Sequence, residues 1–182
     1  DWATKDIFTS LPSRSSSVLS LCQTIGSVTI TDTNSGGAAT ANAGGTYALT
    51  PSAATGGTFT ASNYNITYTA GALTVNQKAL TITASAQSTT YGTALVLGTD
   101  NTGATRFTTS GLTNGDTVTA VTLLQAGNST VPATQNAGTY SGSTNGILVS
   151  GATGTGLSNY SITYTAGTLT VNQKAVTITA TH

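Results

Sequence analysis

Residues 62–85 read SNYNITYTAGALTVNQKALTITAS, and residues 158–181 read SNYSITYTAGTLTVNQKAVTITAT. Only four of the 24 positions differ: Asn65/Ser161, Ala72/Thr168, Leu80/Val176 and Ser85/Thr181. The offset is 158 − 62 = 96 residues. A copy this close marks a tandem array of similar modules. Such arrays serve reach, rigidity or multivalent contact more often than chemistry.

Within the block, apolar and polar residues alternate with period two. Tyr64, Ile66 and Tyr68 fall on one face, and Asn65, Thr67 and Thr69 on the other. Ala70 and Gly71 interrupt the pattern, and Leu73 and Val75 resume the apolar face. After Gln77, Leu80 and Ile82 alternate with Thr81 and Thr83. This alternation, rich in Thr, Tyr, Val and Ile, predicts half-buried antiparallel strands. No helical period holds over three turns, and the 21 glycines in 182 residues punctuate strands and penalise helices. Asn114-Gly115 and Asn145-Gly146 fit type I′ hairpin turns. The expected fold is all-β, with two tandem antiparallel β-sandwich (Ig-like) modules.

The repeat extends upstream with a smaller shift. Residues 28–47 (VTITDTNSGGAATANAGGTY) lie over residues 121–140 (VTLLQAGNSTVPATQNAGTY), an offset of 121 − 28 = 93. Tyr47, Tyr64 and Tyr68 then pair with Tyr140, Tyr160 and Tyr164, and only Tyr91 lacks a mate. The second module opens with residues 78–84 (KALTITA) and continues to Tyr91-Gly92-Thr93. The first module's counterpart of this opening would fall before Asp1. Residues 174–180 (KAVTITA) repeat the opening near the end of the sequence. The expected organisation is therefore an atypical N-terminal segment at 1–17, an incomplete β-module lacking its own initial strand at 18–77, and a second β-module at 78–173. A surplus strand at 174–182, equivalent to the start of a further module, follows. Residues 1–17, with Trp2, Lys5, Pro12 and Arg14, read equally well as a cap on the array or as a disordered tail.

Composition narrows the function. Charged residues make up 5% of the chain, Lys+Arg and Asp+Glu number five each, and there is no Glu. Nucleic-acid binding needs a basic stripe, and a polybasic membrane contact needs a basic cluster; neither is present. No apolar run approaches the ~18 residues of a membrane-spanning helix. The exterior must be wetted by Thr, Ser, Asn and Gly, as in many exported fibre and wall proteins. Cys22 is the sole cysteine, which forbids an intrachain disulfide and fits a small, semi-buried apolar residue. The chain shows no signal sequence and does not start with Met, so it reads as processed or cut from something longer.

Five fragments in order carry a family resemblance: the opening strand at 79–84, Tyr91-Gly92-Thr93, residues 110–117 (SGLTNGDT), Ala137-Gly138-Thr139-Tyr140, and residues 159–164 (NYSITY) with 167–171 (GTLTV). Together they resemble the MBG and YDG repeats of bacterial surface adhesins, specifically the YGX-type MBG domain, across residues 78–172. Residues 18–76 resemble the same module in part. The resemblance implies an exported stalk or adhesin of the kind built from many repeats in Gram-negative bacteria. With it, Gly92, Gly111, Gly138 and Gly167 read as turn glycines, and Tyr91, Tyr140, Tyr160 and Tyr164 as packing tyrosines.

Catalytic constellations are not legible. His182 is the only histidine, so no His-based triad or metal cluster can be built. The carboxylates Asp1, Asp6, Asp32, Asp100 and Asp116 are scattered. Asp32 and Asp100 sit in Gly-rich turns, but calcium needs six to eight oxygens with several carboxylates, so ordinary Asx-turns are expected. Lys78 and Lys174 start strands, yet an isopeptide crosslink needs a buried acid beside them, and Asp116 follows a turn glycine. Asn65, Asn128 and Asn159 head N-glycosylation sequons, a cheap match in this composition. The expectation is no enzyme activity, no cofactor and no metal.

The expected function is that of a structural, extracellular fibre or adhesin subunit, secreted to the bacterial cell surface. Its partners would be identical subunits in a head-to-tail polymer. Lys174, Val176, Ile178 and Ala180 would form the donated strand, entering a groove on the next subunit lined by Val28, Ile30, Tyr47, Tyr64, Ile66 and Tyr68. The alternative is a repeat segment of a larger adhesin that holds a host or matrix glycan or protein through an exposed aromatic patch drawn from Trp2, Phe59 and Phe107. A third reading is a window cut from a longer array. No nucleic acid and no membrane insertion are expected.

Overall fold

A computed structural model describes residues 23–100 and 105–181. Trp2, Cys22, His182 and the segment 1–17, on which several expectations fall, lie outside the described residues. The chain divides into two compact units, Asp1–Ala41 with Gly45–Thr74, and Asn42–Gly44 with Val75–His182. In both, strands are the main regular structure, as the alternation predicts.

The described residues of the first unit form one antiparallel sheet. β1 (Ser27–Asp32), β2 (Thr46–Thr55) and β3 (Gly71–Thr74) lie in that order, with a single 3-10 turn at Ala61–Asn63. The second unit contains β4 (Lys78–Ala84), β5 (Gln87–Thr90), β6 (Leu95–Val96), β7 (Gly98–Asp100), β8 (Phe107–Ser110) and β9 (Thr117–Gln125). It continues with β10 (Thr130–Val131), β11 (Gly138–Tyr140), β12 (Ile147–Thr155), β13 (Tyr160–Thr165) and β14 (Leu169–Asn172). Its sheets are β13-β4-β8, β11-β14-β5, β12-β9-β7 and the pair β10-β6.

β4 organises the second unit. Its sequence alternates, so Leu80, Ile82 and Ala84 point inward and are buried, while Thr81 and Thr83 stay half-exposed. β4 runs parallel to β13, from Tyr160↔Lys78 to Thr165↔Thr83. β5 runs parallel to β14, from Leu169↔Gln87 to Asn172↔Thr90. The register is the same in both pairs, since 160 − 78 = 82 and 169 − 87 = 82. The two pairs are therefore one parallel ladder with a break at residues 84–86. The backbones crowd at the break: a Cβ on Gly167 would lie 2.4 Å from the Ala84 carbonyl oxygen, so only glycine fits there. The core that this ladder helps to close includes Leu80, Ile82, Phe107, Val121, Leu123 and Leu169.

The first unit repeats part of the second, rung for rung. Thr29↔Ser52, Ile30↔Pro51 and Asp32↔Leu49 in β1–β2 match Thr122↔Ser150, Leu123↔Val149 and Gln125↔Ile147 in β9–β12. Thr46↔Thr74 and Tyr47↔Leu73 in β2–β3 match Thr139↔Thr170 and Tyr140↔Leu169 in β11–β14. β2 thus does the work of β11 and β12 together. The offset moves from 140 − 47 = 93 to 147 − 49 = 98 because residues 141–146 stand where the first unit has only Ala48, and this longer stretch contains the short helix Gly142–Asn145. Each unit also bulges at the same place, Ala53 (φ 48°) and Gly151 (φ 59°). A bulge leaves an amide outside the ladder. Here the next N–H donates to a tyrosine hydroxyl, Ala54 to Tyr68 at 2.9 Å and Ala152 to Tyr164 at 3.1 Å.

Several expectations are corrected. The strands are not purely antiparallel, because β4 and β5 open the module and the chain comes back beside them as β13 and β14 only after the whole connection between, which permits parallel pairing. Residues 65–70, expected as a strand, belong to none. Asn114 (φ 59°) and Gly115 (φ 77°) do form a tight turn, closed by Asp116 N–H donating to the Thr113 carbonyl at 3.0 Å. It joins β8 to β9, which lie in different sheets, so it is no hairpin. Asn145 ends the short helix and Gly146 is extended (φ −74°), so no type I′ turn forms there.

Ile82 and Ile178 share the context Thr-Ile-Thr but not the environment, with exposures of 0% and 92%. Ile82→Ala is expected to destabilise the second unit by about 2–5 kcal/mol, and Ile178→Ala to change the monomer by less than about 0.5 kcal/mol. Urea denaturation of the two variants at low protein concentration measures both.

Candidate functional site

Among the described residues, the first unit presents an exposed apolar face. Val28 and Ile30 in β1 are 41% and 49% exposed, whereas their counterparts Val121 and Leu123 are 1% and 0% exposed. Tyr64 is 48% exposed against 4% for Tyr160. Among the described residues of this unit only Gly36 and Ala54 are buried. In the second unit β4 helps to seal the equivalent positions, through Leu80 and Ile82 in the same core cluster. Fully burying a Val or Ile side chain contributes about 1.5–3 kcal/mol. The open face is therefore a sizeable driving force for whatever covers it.

The six groove residues expected from the sequence fall into two groups. Val28, Ile30 and Tyr47 are held by the sheet, with Tyr47 half-buried in β2. Its ring lies so close over Gly36 that any Cβ there would overlap it. Tyr64, Ile66 and Tyr68 lie in or beside the stretch that belongs to no strand. Two of these tyrosines are nevertheless anchored. Tyr64 donates its hydroxyl to Gln23 Oε1 and stacks on Phe59 (centroids 5.1 Å apart), and Tyr68 accepts the Ala54 N–H.

The four donor-strand residues occupy an exposed stretch. Residues 173–181 belong to no strand and are exposed throughout. Val176 and Ile178 are 80% and 92% exposed, an unusual state for β-branched apolar side chains that alternate with threonines.

Sequence reasoning missed the tyrosine anchor. In the second unit Tyr160 donates its hydroxyl to Asp116 Oδ2 at 2.8 Å and accepts the Thr113 N–H at 2.9 Å. In the first unit Gln23 takes the place of Asp116, since 116 − 93 = 23. The offset needed to find this pair was already visible, but nothing in it marked a hydroxyl contact. Asp116 is thus engaged by Tyr160, and Lys78 is exposed on β4. Of the packing tyrosines, Tyr160 is buried and Tyr140 half-buried, but Tyr91 and Tyr164 are 44% and 39% exposed. Phe107, expected as part of an exposed aromatic patch, is instead fully buried, because it faces the core from β8 opposite Ala84.

The acidic side chains among the described residues are bonded within the fold. No group of three or more His, Cys, Asp or Glu could hold a metal ion there. Asp32 accepts N–H bonds from Gly37 at 2.6 Å and Asn34 at 3.4 Å, an Asx-type turn satisfied by its own backbone. Buried Asp100 accepts the Arg106 N–H at 3.2 Å. A shallow groove of about 390 Å³ runs along β11 and β14, lined by residues such as Thr139, Thr170, Asn172 and Gln173.

Two outcomes follow from these contacts. Tyr160→Phe should cost about 1–3 kcal/mol, because it leaves a part-buried carboxylate and an N–H without their partner, while Tyr64→Phe should cost about 0.5 kcal/mol; chemical denaturation of each unit checks both. The Asp32 carboxyl is held below its ordinary 3.8, first by the Gly37 N–H and then by those of Gly36 and Asn34. Its folded pKa is depressed, so its contribution is present above the unfolded value and is lost as pH falls through the folded one. An NMR titration should place the Asp32 midpoint below 3.8, and Gly37→Pro, which removes the leading N–H, should raise it.

The family model described as MBG domain (YGX type) matches residues 80–170. No curated protein and no solved structure matches the chain. The matched stretch spans half of the 182 residues and runs from β4 to β14, taking in most of the parallel ladder and the core it closes. The chain belongs to the MBG domain (YGX type) family.

Proposed function

We propose that this protein is a non-catalytic, repeat-built segment of a bacterial surface protein of the adhesin type, exported to the cell surface. Each repeat is read as an Ig-like sandwich, the first completed by a strand it receives. Copies join head to tail, with residues 174–182 as the connector. The family and the rung-for-rung recurrence of the module support the repeat reading. One observation carries the connector. A near-copy of β4 lies exposed and unpaired at residues 174–180, while the first unit leaves uncovered the positions whose counterparts pack with β4.

Strand addition supplies main-chain hydrogen bonds for affinity and alternating side chains for register. A head-to-tail contact of this kind propagates into a filament unless it closes into a ring. The reading as a glycan- or protein-holding repeat is the alternative. It now leans on Phe59 and the tyrosines beside it, since Phe107 is internal.

Electron microscopy of the concentrated chain should show polymers that vanish when residues 174–182 are deleted. Ile178→Pro should nearly abolish them too, because proline removes a ladder N–H. Polymers that survive the deletion would refute the connector, and monomers in both samples would favour the holding role.

A further inference from the structure

The second unit contains a template for the joint. There, β13 (YSITYT) receives β4 (KALTITA) in parallel, with Tyr160↔Lys78, Ile162↔Leu80 and Tyr164↔Ile82. Residues 64–69 (YNITYT) differ from β13 at one position, and residues 174–180 (KAVTITA) differ from β4 at one position. Both copies sit outside any strand. Acceptor and donor of the same ladder are thus present twice, once paired and once apart.

Resting on the strand-donation reading, we infer that the joint is a parallel β-addition of residues 174–180 of a second copy of this chain onto residues 64–70, in one defined register. Shifting the template by 96 gives it directly: 160 − 96 = 64 and 78 + 96 = 174. The rungs are Tyr64↔Lys174, Asn65↔Ala175, Ile66↔Val176, Thr67↔Thr177 and Tyr68↔Ile178. Val176 and Ile178 take the inward places that Leu80 and Ile82 hold in the second unit, against the face carrying Val28 and Ile30. Asn65, Thr67, Ala175 and Thr177 stay outward. Slipping by one residue would turn Thr177 inward and Ile178 out to water, so the register is strongly fixed.

The anchors already in place suit this docking. Tyr68 is tied to the bulge at Ala54, as Tyr164 is tied to Ala152, and Tyr64 is tied to Gln23 as Tyr160 is tied to Asp116. Both ends of the acceptor stretch therefore carry the side-chain bonds of β13, although among the described residues no strand pairs with it.

Cysteine pairs test the register, because neighbouring strands lie ~4.8 Å apart, within the Cα separation a disulfide spans. The full chain carrying Cys22→Ser is prepared with Asn65→Cys plus Ala175→Cys, and separately with Asn65→Cys plus Thr177→Cys. A third variant, Ala79→Cys plus Ser161→Cys, reproduces the first pair inside the second unit and controls for folding and oxidation. After mild oxidation, the control should form an internal disulfide. The in-register pair should give a ladder of covalent multimers on a non-reducing gel, about tenfold more abundant than from the shifted pair. A stronger ladder from the shifted pair would overturn the register while leaving strand donation standing. Crosslinked monomers would overturn the second copy as occupant. No crosslink in either pair, with the control oxidised, would overturn strand donation itself.

Discussion

The fold turns on one pairing, that of a repeat's first strands with its last. β4 and β5 lie parallel to β13 and β14 at a single register across a break. A hairpin closes locally, from residues next to each other in sequence; a parallel pair closes only when the chain has travelled far enough to return in the same direction. Here it travels through every other strand of the module. Leu80 and Ile82 on one side of the ladder and Leu169 and Val171 on the other enter the same core. The repeat is therefore a closed unit only when its opening strand is seated, and the seat is made by its closing strands.

That dependence explains why near-identical sequences take different states. Residues 160–165 form β13, and residues 64–69, with one difference, form no strand; residues 78–84 form β4, and residues 174–180, with one difference, form no strand. Intrinsic preference is the same within each pair. A partner is what differs. β propensity measures how well a side chain suits a pleated, half-buried surface, and that surface exists only when a neighbour supplies it.

Much was legible in the sequence for this reason, and the rest was hidden for the same one. Alternation identified strands such as β4, β13 and β14, and the inward residues Leu80, Ile82 and Leu169 are buried as the pattern requires. Alternation carries no sign for direction, so the parallel pairs could not be read from it. Asn-Gly encodes a turn's φ angles but not which strands it connects, and Asn114-Gly115 leads from one sheet into another. The step in offset from 93 to 98 was invisible because 49–52 (LTPS) and 147–150 (ILVS) share too few residues; only their common rungs reveal it. On the candidate face, the apolar residues were readable, but the Gln23 and Asp116 hydroxyl contacts were not, since a tyrosine's ring shows in a pattern while the aim of its oxygen does not.

The parallel ladder also decides how a repeat would answer to tension. A pull on the leading end of β4 and the trailing end of β14 draws the two sides of the ladder, β4 with β5 and β13 with β14, in opposite senses along their length. Such a load is shear, and it falls on all the rungs at once instead of peeling them one by one from an edge. The ladder has two segments, with the break at residues 84–86 between them. A molecule built from such units resists stretching with its closing pair, at the same rungs that complete its core.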